Sequence, residues 1–229
     1  MTEEKTGSDF TTVVGQFRDY LKTQADLGLE SVVLPRWGSI KLASPKQRLA
    51  ALNREVADCL LCPLGNTRTN LVFGVGDPAA DLLFIGEAPG RDEDLQGFPF
   101  VGRAGQLLTK ILKAMGLERE QVYIANILKC RPPGNREPLP TEVAHCLPIL
   151  KKQVDIIRPK IICALGRVAA QNLLGSKLAL GSMRGGTHEY NGVPVIVTYH
   201  PAAILRNPAY KRPTWDDMQV VMRFLGLEA

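Results

Sequence analysis

Four short apolar runs constrain the fold of this chain more than any other feature. They are Leu82 to Ile85, Gln121 to Leu128, Lys160 to Leu165 and Val193 to Tyr199. Each has the length of a buried strand and falls far short of the roughly 20 residues of a membrane span. Between the first three lie stretches with helical spacing, at Ala104 to Met115 and Thr141 to Ile157. A helix follows the third run at Arg167 to Leu174, stopped by Gly175. Crossovers of this length join parallel strands, because a tight turn joins only antiparallel ones. The spacing therefore predicts an α/β fold: a three-layer α/β/α sandwich with a short, mostly parallel central sheet. Thr187 to Tyr190, followed by Asn191-Gly192, predicts a hairpin arm paired with the last run, since Asn-Gly favours a type I′ turn. A final helix is expected over Thr214 to Leu225, with Thr141 as the expected N-cap of the helix that it begins.

The first part of the chain reads differently. Apolar residues at Phe10, Val13, Val14, Phe17, Tyr20 and Leu21 predict a helix over Ser8 to Leu27, and Ser31 to Lys41 reads as a linker. Residues 1–45 are taken as an N-terminal extension and 46–229 as the main domain. Ser44 and Pro45 suit the N-cap and first position of a helix running to about Ala57. The acidic, polar start (MTEEKTGSDF) is unlike a secretory signal, so a cytoplasmic, monomeric protein with no membrane association is expected. The net charge is +5, and residues 1–45 hold five Lys/Arg against six Asp/Glu, so the basic excess lies wholly in the remainder. Seven basic residues fall between Arg103 and Arg136 against Glu118 and Glu120 alone. Basic residues gathered on loops between strands and helices favour a polyanion partner, of which nucleic acid is the common one.

Two strand ends carry chemistry. Glu87 stands in Gly86-Glu87-Ala88-Pro89-Gly90, directly after the first apolar run. Ligands of open α/β sheets bind outside the carboxyl ends of strands, so this carboxylate is a candidate for catalysis. Asp92, Glu93 and Asp94 follow on what reads as a loop; Glu93 is the reserve, and Asp92 and Asp94 are expected to face solvent. His200, in His200-Pro-Ala-Ala-Ile-Leu-Arg206, ends the fourth run. Of five cysteines, Cys163 lies inside an apolar run and reads as a core residue. Cys59 and Cys62 form a C-x2-C pair, and with Cys130 and Cys146 they make a tetrathiolate set. By spacing alone that set suits zinc and an iron–sulfur cluster equally. His145 is a rival ligand beside Cys146, expected at the surface.

GEAPG, then GFPFVGRAG, then Asn126-Ile-Leu-Lys-Cys-Arg-Pro-Pro, then HPAAILR, in this order and with these cysteines, resembles the uracil-DNA glycosylase superfamily. The resemblance covers residues 46–225 and is greatest to the type 4, iron–sulfur branch; the acid at the second position of GEAPG separates it from type 5. The branch that captures uracil DNA covalently carries a KRRIH insertion, where this chain has Lys129-Cys130-Arg131-Pro132-Pro133.

The resemblance implies a 4Fe-4S cluster on Cys59, Cys62, Cys130 and Cys146, with uracil-containing DNA as the partner. It implies a pocket in which Gly86 and Ala88 supply backbone, Phe100 stacks on the base and Asn126 reads it. Glu87 would act near the sugar and His200 on the leaving base. Leu205 and Arg206 would lie on a loop entering the DNA, with Lys129 and Arg131 as phosphate contacts. A glycosylase needs such parts, because a base must leave the stack before it can be read and cleaved. Two other readings stand beside this one. One is a metal-dependent nuclease using Glu87, Asp92, Glu93 and Asp94. The other is a non-catalytic iron–sulfur DNA-binding module.

Overall fold

The structure is a computed structural model that describes residues 5–26 and 43–227. The chain divides into two units, Met1–Leu42 and Ala43–Ala229. In the first, helix α1 spans Lys5–Asp26, over the stretch with helical spacing. The expected linker at 31–41 lies outside the described residues.

The second unit opens on α2 (Pro45–Val56), capped as its sequence predicts. The Gln47 backbone N–H donates to Ser44 Oγ at 3.3 Å, and the Ser44 backbone N–H donates to Gln47 Oε1 at 2.9 Å. This reciprocal box satisfies two donors that a bare helix start leaves open. The strands are β1 (Val75–Gly76), β2 (Leu82–Gly86), β3 (Tyr123–Asn126), β4 (Ile161–Leu165), β5 (Thr187–Tyr190) and β6 (Val193–Thr198). They form one sheet in the order β1-β3-β2-β4-β6-β5. The four inner strands are parallel and the two edge strands antiparallel. Asn191 and Gly192 both take positive φ, 49° and 79°, as the type I′ hairpin turn requires.

The helices are α3 (Arg91–Gln96), α4 (Arg103–Ala114), α5 (Pro140–Ile157), α6 (Arg167–Leu174), α7 (Leu180–Met183), α8 (Pro201–Arg206) and α9 (Lys211–Leu225). Two helical layers cover the sheet. Leu83, Ile85, Ala125, Ile162, Ala164, Val195 and Val197 face α2, α5 and α6. The alternate residues Leu82, Phe84, Ile124, Ile161, Cys163 and Ile196 face α4 and α9. Burial on both faces is why these strands read as unbroken apolar runs, and Cys163 is core, as expected.

The structure differs from the sequence reading in local ways. The acidic stretch taken as a loop is helix α3, and Leu205 and Arg206 lie on helix α8 rather than a loop. Thr141 is not the cap of α5: Pro140 takes the first position, and the Leu139 backbone N–H donates to Glu142 Oε2 at 2.8 Å. β1 is two residues long, too short for any periodicity to betray it.

A buried polar knot ties β6 to α9. The Thr198 hydroxyl donates to Asp217 Oδ2 at 2.6 Å, and Arg184 Nε and Nη2 donate to the same oxygen at 3.0 and 2.9 Å. The Arg184 guanidinium also lies 4.3 Å from the Tyr199 ring centroid, and Tyr199 stacks on Tyr210 at 4.0 Å. The segment leading into His200 is thus held from two sides. Replacing Asp217 by Ala leaves Arg184 without its counter-charge. It is expected to lower unfolding free energy by about 3 kcal/mol, read by urea denaturation.

Candidate active site

Parallel register brings the carboxyl ends of the inner strands to one rim. Gly86 pairs with Asn126 and Leu165 with Thr198, so Glu87, Asn126, Arg167 and His200 emerge at the same edge of the sheet. β2 sends its crossover through α4, and β3 sends its own through α5 on the opposite layer. The crevice at such a switch of direction is where open α/β sheets bind ligands. A cavity of about 560 Å³ occupies it. Of the sequence-expected residues, Glu87, Ala88, Glu93, Phe100, Asn126, His200 and Arg206 line it.

Asn126 forms part of the cavity wall at the end of β3. Its side chain is buried, and its Oδ1 has no hydrogen-bond partner. An orphaned buried acceptor is uncommon, and this one borders the cavity, where a ligand's N–H could meet it. Gly86 lies beside it under the wall. A Cβ there would collide with Asn126 Oδ1 and come within 2.6 Å of the Phe100 ring, so a side chain at 86 would displace both.

Phe100 is held in the left-handed region, φ 55°, which costs a residue with a Cβ about 1–3 kcal/mol. Neighbours on both sides enforce it. Glu93 Oε1 accepts from the Val101 and Gly102 backbone N–H groups at 3.0 and 3.1 Å, and Oε2 accepts from Gly90 N–H at 3.1 Å. An Arg119 Nη2–H donates to the Pro99 carbonyl. The Phe100 ring lies 5.5 Å from the His200 ring, tilted by 31°.

His200 caps α8: its Nδ1 accepts from the Ala202 backbone N–H at 3.1 Å. In the neutral ring the proton therefore sits on Nε2. Burial first, then the nearby Arg206 charge, pushes its pKa down to about 4, while Glu93 opposes. The imidazole is a neutral donor at physiological pH. Burial likewise raises the Glu87 carboxyl above the ordinary glutamate range, Glu137 adds to this, and Arg167 opposes it. Glu137 and Arg167 pair with each other across the cavity lining.

The second assembly of side chains lies under the loop after β3. Cys59, Cys62, Cys130 and Cys146 line one small cavity, with His145, Lys129 and Leu71. His145 is exposed, as expected. Among the described residues no ready-made group for a single metal ion is gathered. The donor set nonetheless suits a thiolate-bound group. Four of five cysteines share the cavity, and N–H groups already point at sulfur: Lys129 N at 3.2 Å from Cys146 Sγ and Arg68 Nη1 at 3.3 Å from Cys130 Sγ. Bidentate contact of Arg136 with the Glu142 carboxylate, at 2.9 and 2.6 Å, pins the loop beyond Cys130 to α5.

Residues 73–219 match the family model described as the uracil DNA glycosylase superfamily. The chain belongs to that superfamily. The type-4 uracil-DNA glycosylase of Archaeoglobus fulgidus is 46% identical over 181 residues, covering 76% of this chain and 91% of the relative. That of Thermotoga maritima is 41% identical, covering 80% and 97%. A type-5 uracil-DNA glycosylase of Pyrobaculum aerophilum is 30% identical, covering 67% and 74%. The type-4 relatives are the nearer of these, in keeping with the acid at position 87.

Superfamily membership leaves the position of each residue to the structure, which corrects the sequence reading in three places. Lys129 is 0% exposed, with Nζ donating to the Asn126 carbonyl at 2.8 Å, so it is no phosphate contact. Asp94 does not face solvent: it is buried, and its Oδ1 accepts from Thr69 and Asn70 backbone N–H groups at 2.9 and 3.4 Å. The acidic stretch is therefore not a metal cradle, since Glu93 and Asp94 are spent on backbone donors and Asp92 lies on the exposed side of α3. Arg131 remains partly exposed, with Nε on Asn135 Oδ1 at 2.7 Å, and Leu205 is 42% exposed. Sequence reasoning missed the Arg167–Glu137 pair and Arg119, and no motif marks them. The strand-end position of Arg167, directly after Gly166, was the available signal.

If the Glu93 carboxylate holds Phe100 in its strained backbone, Glu93→Ala leaves three N–H groups without their acceptor. It is expected to cost about 2 kcal/mol of stability and to loosen the 97–102 turn, measured by denaturant melts and hydrogen exchange of Val101 and Gly102.

Proposed function

We propose that the protein is a monofunctional uracil-DNA glycosylase that binds an extrahelical uridine in the 560 Å³ cavity and hydrolyses its N-glycosidic bond, leaving an abasic site. The observation that carries this reading is the unpartnered Asn126 Oδ1 in a cavity that also presents a strained aromatic ring and a neutral imidazole donor.

Uracil stacks on Phe100. Asn126 Oδ1 accepts from its N3–H, and the amide nitrogen donates to O4; cytosine presents the opposite polarity at both positions and is refused. Backbone around Ala88 closes the pocket. Bond cleavage builds negative charge on the departing base and positive charge on the sugar. His200 Nε2–H donates to O2 as that charge grows, without the proton transfer a cationic ring would invite. Glu87, ionised, orients the attacking water and faces the oxocarbenium-like sugar. Its raised pKa brings it nearer the working pH of a general base. Glu93 acts through Phe100 rather than on substrate. Arg206 and Arg131 hold phosphate, and Leu205, exposed on α8, fills the vacated stack. Residues 46–229 carry this activity, residues 1–45 being an extension, and the protein acts as a cytoplasmic monomer. Among the described residues no helix is long and apolar enough to cross a membrane.

Cys59, Cys62, Cys130 and Cys146 would hold a 4Fe-4S cluster, supported by their shared cavity and the N–H groups aimed at sulfur. Such a cluster would supply a covalent cross-link among the turn at 59–62, the start of the loop after β3 and α5, and no electron to this reaction.

His200→Ala and Asn126→Ala are each expected to lower single-turnover uracil excision by about 100- to 1,000-fold. Retention of wild-type rate in both would overturn the assignment. The pH profile separates Glu87 from His200. Glu87 works as the anion, so activity falls as pH drops through its raised pKa, with a midpoint above the ordinary glutamate value. Glu87→Gln should abolish that limb along with most activity. His200 titrates near 4, so no limb is expected near pH 6.5. Cys130→Ala should lose iron, thermal stability and DNA affinity more than it loses the rate of bond cleavage in bound substrate. A variant that keeps fold and binding but loses cleavage alone would contradict the cross-linking role.

A further inference from the structure

An extruded nucleotide brings its flanking phosphates to the rim of the cavity, so charges at the rim act on DNA before any bond is cleaved. Of the charged side chains that line the cavity, Glu93 is engaged by backbone N–H groups and Arg136 by the buried Glu142 carboxylate. Arg167 and Glu137 pair with each other instead, and both side chains are open to solvent, 45% and 64% exposed. The pair joins the first residue of α6 to the loop that precedes α5. That loop is anchored without it. Arg136 Nη1 donates to the Glu137 carbonyl at 3.0 Å, and the Leu139 backbone N–H donates to Glu142 Oε2 at 2.8 Å. On the other side, Arg167 Nη1 donates to Gln171 Oε1 at 3.1 Å, one helical turn further on. Turning the Glu137 side chain away therefore leaves its backbone fixed and the guanidinium still tethered.

We propose that Arg167 is a phosphate-binding residue of the DNA site and that Glu137 is the group it holds in the free protein, a carboxylate displaced by a phosphate beside the extruded nucleotide. This rests on the functional reading above. Magnitudes favour the exchange. An ion pair between two solvent-facing side chains is worth at most about fivefold in an equilibrium constant. A guanidinium–phosphate contact is charge-assisted, can be bidentate, and releases a counterion condensed on the DNA. A free carboxylate at the rim would repel the phosphates, whereas one paired with Arg167 leaves that part of the rim neutral until DNA arrives.

The test measures binding of the full chain to a duplex oligonucleotide over a series of salt concentrations. The duplex carries one 2′-fluoro-deoxyuridine, whose fluorine disfavours positive charge on the sugar and so resists cleavage. Arg167→Gln should weaken binding on the order of tenfold, a charge-assisted contact less the ion pair given up. It should also make the slope of log affinity against log salt shallower by about 0.9, the loss of one phosphate contact. Arg167→Lys keeps the charge and should keep the wild-type slope. Glu137→Gln removes the competitor and should tighten binding about two- to fivefold with the slope unchanged. In the Arg167→Gln background the same change should alter affinity less than about twofold, because an exposed carboxylate then acts on phosphate only through screened repulsion. A wild-type slope in Arg167→Gln overturns the proposal. So does a Glu137→Gln protein that binds no tighter than wild type, the result expected of a latch that merely holds the loop. Equal wild-type affinity for the fluorouridine duplex and for one with thymine in its place would instead strike the functional reading, and the slope of Arg167→Gln would still decide whether Arg167 meets a phosphate.

Discussion

Parallel pairing of β3, β2, β4 and β6 is the constraint on which the rest of the molecule depends. A parallel ladder places the carboxyl ends of its strands at one edge, and the crossovers that create it must run over the two faces. Glu87, Asn126, Arg167 and His200 are separated by tens of residues in the chain and meet because each follows, or ends, one of these strands. The apolar alternation that buries Leu83 and Ile85 on one face and Leu82 and Phe84 on the other is the same pattern that sets the register. A slip of one residue would exchange the two faces and move Asn126 away from Gly86.

Around that rim the protein spends polar groups on rigidity. The Glu93 carboxylate, with three backbone donors, and Arg119, on the Pro99 carbonyl, hold Phe100 in a conformation it would not adopt alone. The Asp217 knot does the same for the approach to His200. A cavity built this way presents its donor and acceptor without reorganising at the moment of reaction, which is where preorganised electrostatics has its advantage. Burial then acts in opposite senses on the two titrating groups. It keeps His200 neutral and makes Glu87 a stronger base, and the Arg206 and Arg167 charges modify each effect.

The turn at 59–62, the start of the loop after β3 and α5 meet at the cysteine cavity, which Lys129 also lines. Arg131 and Lys129 flank the same cysteine and looked equivalent as surface cations. Arg131 Nε reaches Asn135 Oδ1, whereas the buried Lys129 Nζ reaches the Asn126 carbonyl. The two share a charge and a loop and serve different ends.

Much of this was legible in the chain itself. Five of the six strands, all but the two-residue β1, follow with the helices of the two layers, the Ser44 cap and the Asn191-Gly192 turn from local periodicity and backbone preference, which act within a few residues. The cysteine set, Glu87, Phe100, Asn126 and His200 were marked by motif and by strand-end position. What the sequence could not determine was direction and partnership over distance. Whether Asp94 meets solvent or the Thr69 N–H, whether Lys129 reaches DNA or the Asn126 carbonyl, and that Arg167 pairs with Glu137 depend on elements far apart in the chain. A side chain's charge is a property of its residue type, but what it touches is settled only when the layers pack, because burial and counter-charge come from the rest of the fold.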